Sequence, residues 1–314
     1  MVKNVIKYFI LVIFSGYIRC STPENTVKPD FDGLKIELQK LVDAFDGDVG
    51  IYVFHLPSEN EIAIQADELY PTASLIKVPI LMSLFQKIVD GEIDYQEDLI
   101  YTNALELYAY EDTEGVIGNF KDSAEIKLKK LAALMIYFSD NNASLWLQEK
   151  VGTEYINTWL ESNGFPKTKV NSRAPGREEQ RKLFGWGETT PKEMTEMLVK
   201  ISRSEIISRD ASQEMSRILS NVYWYGESIS QIPPEIQVFS KQGAVNASRS
   251  EVLFVNAPSG PYAFCVITKN QSNISWEYDN DGYMLLRQVS ALLWNHFEPD
   301  YDWRPSEKMQ KQWW

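Results

Sequence analysis

Apolar residues recur at helical spacing from Leu34 to Phe45, and two short β-rich runs follow, Val49 to Leu56 and Ile62 to Ile64, around the turn-like Pro57 to Asn60. The spacing predicts one helix and then a hairpin. From Ser74 to about Ser220 the pattern is mainly helical, broken by long loops near Tyr101 to Asp122 and Lys167 to Glu188. Strand patterns return at Gln237 to Lys241, Glu251 to Asn256 and Tyr262 to Thr268, separated by turn-rich Gly243 to Ser248 and Ala257 to Gly260. A helical run from Gly282 to Phe297 closes the pattern. Strands at both ends of a helical middle predict an α+β domain over residues 34–298. Its antiparallel sheet is built from the N- and C-terminal segments and flanked by helices, with an all-α subdomain of about 75–220 inserted. The crevice between the two parts is the expected place for a site.

The chain's ends carry different information. Met1 to Tyr8 holds Lys3 and Lys7 and no acid, and Phe9 to Ile18 is an apolar run ending at Cys20, which is the plan of a signal peptide over residues 1–20. The run is about half the ~20 residues that span a bilayer as a helix, so the expectation is an exported protein of the bacterial cell envelope. Cys20 stands where a lipoprotein signal puts its acylated cysteine, with Arg19 where a small residue is usual; acylation there and cleavage nearby without a lipid both stay open, and a lipid would be the only membrane contact. Residues 21–33 read as a polar tether, and 299–314, with Trp303, Trp313 and Trp314 among charges, as a docked tail. The other cysteine, Cys265, sits in an apolar run and reads as an inert strand residue with no intrachain disulfide partner. Across 314 residues, 44 acids against 31 bases give a net charge of -13, which repels polyanions and argues against a nucleic-acid partner.

Chemistry narrows by elimination and then by spacing. The chain has no G-x-S-x-G, H-E-x-x-H, C-x-x-C or P-loop pattern, and its two histidines, His55 and His296, lie in a strand run and the last helix. A histidine triad or histidine-rich metal site is therefore not expected, and neither a metal nor a cofactor is implied. Lysine can replace histidine as a base. Ser74 and Lys77 lie three apart at the start of an apolar helical run, where i and i+3 share a face. A lysine buried beside Leu75, Ile76, Val78 and Ile80 binds its proton less tightly. By itself S-x-x-K occurs once or twice by chance in such a composition. Ser139-Asp140-Asn141 interrupts two apolar helices; the three residue types suit a helix N-cap, and they also suit proton relay and amide binding. Lys241-Gln242-Gly243-Ala244 ends a strand and Arg249 begins the next, which predicts two cations facing one cleft. Gly243 would let the strand backbone approach a ligand closely.

Together these stretches resemble the serine β-lactamase and penicillin-binding protein family, whose motif set is S-x-x-K, S-D-N and K-T-G in this order, and class A β-lactamases most of all. The resemblance implies Ser74 as nucleophile, Lys77 as its base and Ser139 as proton relay. It implies substrate binding by Asn141, Lys241, Gln242, Gly243 and Arg249, and an oxyanion hole from the Ser74 and Ala244 backbones. The implied activity is opening of β-lactam amides through an acyl-enzyme. A D,D-peptidase or other cell-wall amidase, or a penicillin-binding sensor or inactive relative, is the alternative. Two departures matter: the loop before Thr189-Thr190-Pro191 lacks the family's E-x-x-x-N pattern, leaving Glu178 and Glu179 as candidates for a deacylating base, and Gln242 replaces a small hydroxyl residue.

Overall fold

The computed structural model describes residues 30–103, 105 and 115–306. Cys20, the signal-peptide segment, residues 21–29 and residues 307–314 lie outside the described residues. The first helix, α1 (Phe31–Asp43), starts within the expected tether because Asp30 caps it, its side chain accepting from Gly33 N. Then come β1 (Asp48–His55), β2 (Asn60–Ile64), β3 (Tyr70–Pro71) and, after a 3-10 turn over Ala73–Ile76, α2 (Lys77–Val89). The middle continues with β4 (Asp98–Ile100), β5 (Glu125–Lys127), α3 (Leu128–Tyr137), α4 (Asn141–Val151), α5 (Thr153–Ser162), β6 (Lys169–Val170), α6 (Glu178–Phe184), β7 (Gly187–Thr189), α7 (Pro191–Ser202) and α8 (Arg209–Leu219). The chain returns through β8 (Val238–Val245), β9 (Ser248–Val255) and β10 (Tyr262–Lys269) to α9 (Asp281–Phe297).

The main sheet has the order β2-β1-β10-β9-β8 and is antiparallel throughout, so distant segments meet where β1 pairs with β10. Its two faces belong to different cores. Leu253 and Val255 pack with Leu285, Leu286 and Val289 of α9 and Leu34 and Leu38 of α1, whereas Val252 and Phe254 pack with α7 and the helical part. Period-2 alternation along β9 produces this division. The helical part also carries two small sheets, β4-β5 and β3-β7-β6, whose strands are two or three residues long and too short to leave a periodic signal.

Two local differences bear on the site. The long turn expected over Gly243–Ser248 is a two-residue hairpin loop, Asn246-Ala247: Val245 pairs with Ser248, and Asn246 takes the left-handed backbone that asparagine tolerates (φ 41°). Glycine, asparagine and serine there mimic a loop while Gly243 remains in the strand. Ser74 lies on the 3-10 turn, ahead of α2, so Pro79 falls in the first α-helical turn, where its missing N–H removes no intrahelical bond.

Candidate active site

β8 is an edge strand, and its free side packs against the 3-10 turn that carries Ser74. Side chains at i and i+3 eclipse on a 3-10 turn. Lys77, fully buried at the N-terminus of α2, accordingly brings its Nζ to 2.8 Å from Ser74 Oγ. The same ammonium donates to Ser139 O (2.5 Å), Ser139 Oγ (3.0 Å) and Asn141 Oδ1 (2.9 Å). From the sheet, the equally buried Lys241 donates to Ser139 Oγ (2.9 Å), Gln242 O (2.8 Å) and Gln242 Oε1 (2.9 Å). One hydroxyl thus joins the two lysines, and the three sequence motifs meet in a single cluster.

The S-D-N triplet divides its labour. Asp140 is the N-cap of α4, accepting from Ala143 N (2.8 Å), and its other oxygen ties down Val116 N and Ile117 N. Capping and site therefore coexist: Asp140 fixes the helix start so that Ser139 and Asn141 face Lys77. Ser139 holds a left-handed backbone (φ 56°), as does Ala73 just before Ser74 (φ 42°). Left-handed non-glycine residues cost on the order of 1–3 kcal/mol each and persist only where the surroundings impose them.

Gly243 sets the distance between the strand and Ser74. A Cβ built on it would lie 2.8 Å from Thr72 O, 3.0 Å from Ser74 N and 2.8 Å from Ser250 Oγ. The first two neighbours are backbone and cannot swing aside. Gly243→Ala is expected to push β8 away from the turn and, where Ser74 serves as the attacking hydroxyl, to lower the rate of its acylation about a hundredfold, as a misplacement of ~1 Å does elsewhere. Single-turnover rates with a chromogenic β-lactam check this, and an unchanged rate would refute it.

Arg249 lies elsewhere than expected. Directly paired residues on neighbouring strands point to the same face, so Arg249, paired with Ala244, is on the α9 side, whereas Lys241, paired with Val252, is on the helical side. The Arg249 guanidinium donates to the carbonyls of Asn246, Ser248 and Ser275 and is stacked by Trp276 and Tyr283, 4.6 and 4.7 Å from the ring centres. The two cations do not share a cleft face; the strand alternation that aims Lys241 inward turns Arg249 away. Gln242 also differs from an open substrate contact, its amide oxygen being folded onto Lys241 Nζ. Ala244 follows on the same edge strand, packed toward the α9 core.

Glu178 and Glu179 are exposed on α6, where Glu178 accepts from Gly176 N and Glu179 pairs with Lys182 at 2.7 Å. The structure does not bring them to Ser74. The third acid of that segment, Glu188, is buried against Arg177 (2.5 Å) and Asn171 (3.4 Å).

The sequence pattern missed two acids behind β8. Glu251, fully buried on the α9 face, accepts from Ser240 Oγ (2.8 Å) and Ser228 N (2.7 Å). Burial and then the charge of Glu227 push its pKa up to about 8, and burial raises the Glu227 pKa as well. Lys241 is held well below the usual lysine range, first by burial and then by Lys77, with Glu227 and Glu251 opposing. The available signal was an acid inside the apolar run Glu251 to Val255. Among the described residues no group of three or more His, Cys, Asp and Glu is placed to hold a metal.

A hydroxyl beside a buried amine, with a second hydroxyl between two amines and a sheet edge alongside, can add to an amide and pass its proton to the departing nitrogen. A model of the Beta-lactamase enzyme family matches residues 33–297. The chain belongs to that family. Among its β-lactamase relatives, Beta-lactamase VEB-1 of Pseudomonas aeruginosa is 18% identical over 306 residues, covering 94% of this chain and 99% of that protein. Of solved structures, PBP-A superposes with a TM-score of 0.75 at 25% identity, covering 86% of this chain and 97% of that one. A β-lactamase from Sphaerobacter thermophilus superposes equally well, with TM-score 0.75, 19% identity and coverage of 87% and 99%. The β-lactamase fold thus extends over nearly all the described residues.

Proposed function

We propose that the protein is a serine hydrolase that opens β-lactam amides through an acyl-enzyme on Ser74. The observation that carries the reading is the 2.8 Å contact of Lys77 Nζ with Ser74 Oγ, in a cluster where Ser139 joins Lys77 to Lys241. In this reading Lys77, once neutral, takes the Ser74 proton as the oxygen attacks the carbonyl carbon. The C–N bond then breaks, and Ser139 supplies the proton to the leaving nitrogen while drawing one from the lysines. The backbone N–H groups of Ser74 and Ala244 are the proposed donors to the oxyanion. Asn141 and Lys241 orient the substrate.

The second reading, a D,D-peptidase or penicillin-binding protein that releases its acyl group slowly, is favoured by the loop acids. Glu178 and Glu179 face solvent and Glu188 is paired with Arg177, so none of the three hydrogen-bonds to the Ser74–Lys77 cluster where a water-activating base would be expected. A mutant of PBP-A, a structural relative, was solved as an acyl-enzyme complex with penicillin G, which is consistent with a penicillin-binding role. The experiment mixes the full chain with a chromogenic cephalosporin and follows colour and intact mass together. Both readings expect a Ser74 adduct. Rapid disappearance of the adduct during turnover selects the lactamase, and persistence over many minutes selects the peptidase type. No adduct and no turnover would overturn both.

A further inference from the structure

We propose that Tyr223, Trp224 and Tyr225 form the wall that receives the leaving half of the substrate, so that the protein selects amides whose leaving half carries a flat apolar substituent. The inference rests on Ser74 as nucleophile and Ser139 as the donor to the leaving nitrogen. A donor must lie within one hydrogen bond of the nitrogen it protonates, so the leaving half of the substrate runs along whatever flanks Ser139.

What flanks Ser139 is aromatic. Phe138 precedes it, and Trp224 Nε1 donates to Phe138 O (3.1 Å) while Tyr223 N donates to Tyr137 O (2.8 Å). The Phe138 and Tyr223 rings are 5.4 Å apart, and Tyr223 and Trp224 meet edge to face at 5.1 Å. Beyond Tyr225 the chain reaches buried Glu227, whose charge is felt at Lys241. The triplet therefore starts at the Ser139 end of the cluster and leads to the segment that binds Glu251 behind β8. Its anchoring bonds fix the segment before any ligand arrives, which reduces the entropy lost on binding.

Exposure supplies the reason for a ligand. Tyr223 is 57% and Tyr225 53% exposed, beside a helix α3 and a strand β8 in each of which half the residues are buried. Large aromatic faces held in water gain when a planar group covers them, by about 0.5–1.5 kcal/mol for each well-placed ring pair. The triplet carries no formal charge, so it matches an apolar ring or conjugated substituent and gives nothing to a cationic or anionic one.

The test uses two cephalosporins with one acyl side chain in common, bearing either a methyl or a styryl group on the six-membered ring, which belongs to the leaving half. Rapid-quench intact mass gives the Ser74 acylation rate of each with the wild-type chain and with the double variant Tyr223→Ser/Tyr225→Ser. Comparing ratios removes the intrinsic reactivity of the two compounds. The styryl-to-methyl rate ratio is expected to fall about tenfold in the double variant. An unchanged ratio overturns the inference while leaving acylation at Ser74 standing; absence of a Ser74 adduct with either compound in the wild type overturns both. If the double variant fails to melt cooperatively, Tyr225→Ser alone is measured, with a fall of about threefold expected and an unchanged ratio again decisive against the proposal.

Discussion

Ser74→Ala is expected to remove covalent capture of a penicillin altogether and to lower β-lactam turnover by at least about a thousandfold, because loss of an attacking hydroxyl leaves only binding and electrostatic effects. Ser74 is the hydroxyl beside the Lys77 amine, on a turn held by the left-handed Ala73 and pressed by Gly243 of the edge strand. No other serine among the described residues combines these three features. The fold should tolerate the change, since alanine removes only a hydroxyl and functional side chains are seldom those optimised for stability. Intact mass followed by peptide mapping decides the matter. An adduct of the same mass on another residue of the variant would end the assignment.

Lys77→Met is expected to slow acylation by about a hundred- to ten-thousandfold, the range attributed to a positioned proton acceptor. Methionine keeps most of the volume and removes the amine, so the partly buried Ser139 O and Asn141 Oδ1 lose a donor, at a cost of up to about 1–3 kcal/mol each where no water replaces it. A second readout separates chemistry from damage. Lys241 is depressed first by burial and second by the charge on Lys77, so the variant should raise the Lys241 pKa only part of the way to the usual lysine value. A depressed amine contributes stability at pH above its unfolded pKa and loses it as pH falls through the folded one. The variant should therefore lose less stability than the wild type between alkaline and neutral pH. Denaturant melts across that window would contradict this picture if the two curves ran parallel, as would an acylation rate within tenfold of the wild type.

Much of this was readable from the chain because it depends on local periodicity. The strand and helix runs, the order of the three motifs and the i, i+3 relation of Ser74 and Lys77 follow from spacing alone. Arg249 was misplaced because facing depends on register: nothing in the residues shows that the hairpin loop is two residues long, and a loop one residue longer would have turned Arg249 to the other side. Glu251 escapes the sequence pattern for a related reason. An acid at the start of an apolar run reads as a strand end, and only the burial of the sheet between α9 and the helical part makes it a carboxyl without water. The 3-10 turn at Ser74 differs from the expected α-helical start because tertiary contact with β8 shapes the helix entry.

The Ser139 hydroxyl has room for two incoming N–H groups and one outgoing hydrogen. Lys77 and Lys241 fill both receptive directions, so its hydrogen is left with a single tetrahedral bearing, away from either amine. The protein thereby fixes an orientation that a free rotor would otherwise have to find in each catalytic cycle. Whichever atom arrives along that bearing meets a proton already pointed at it.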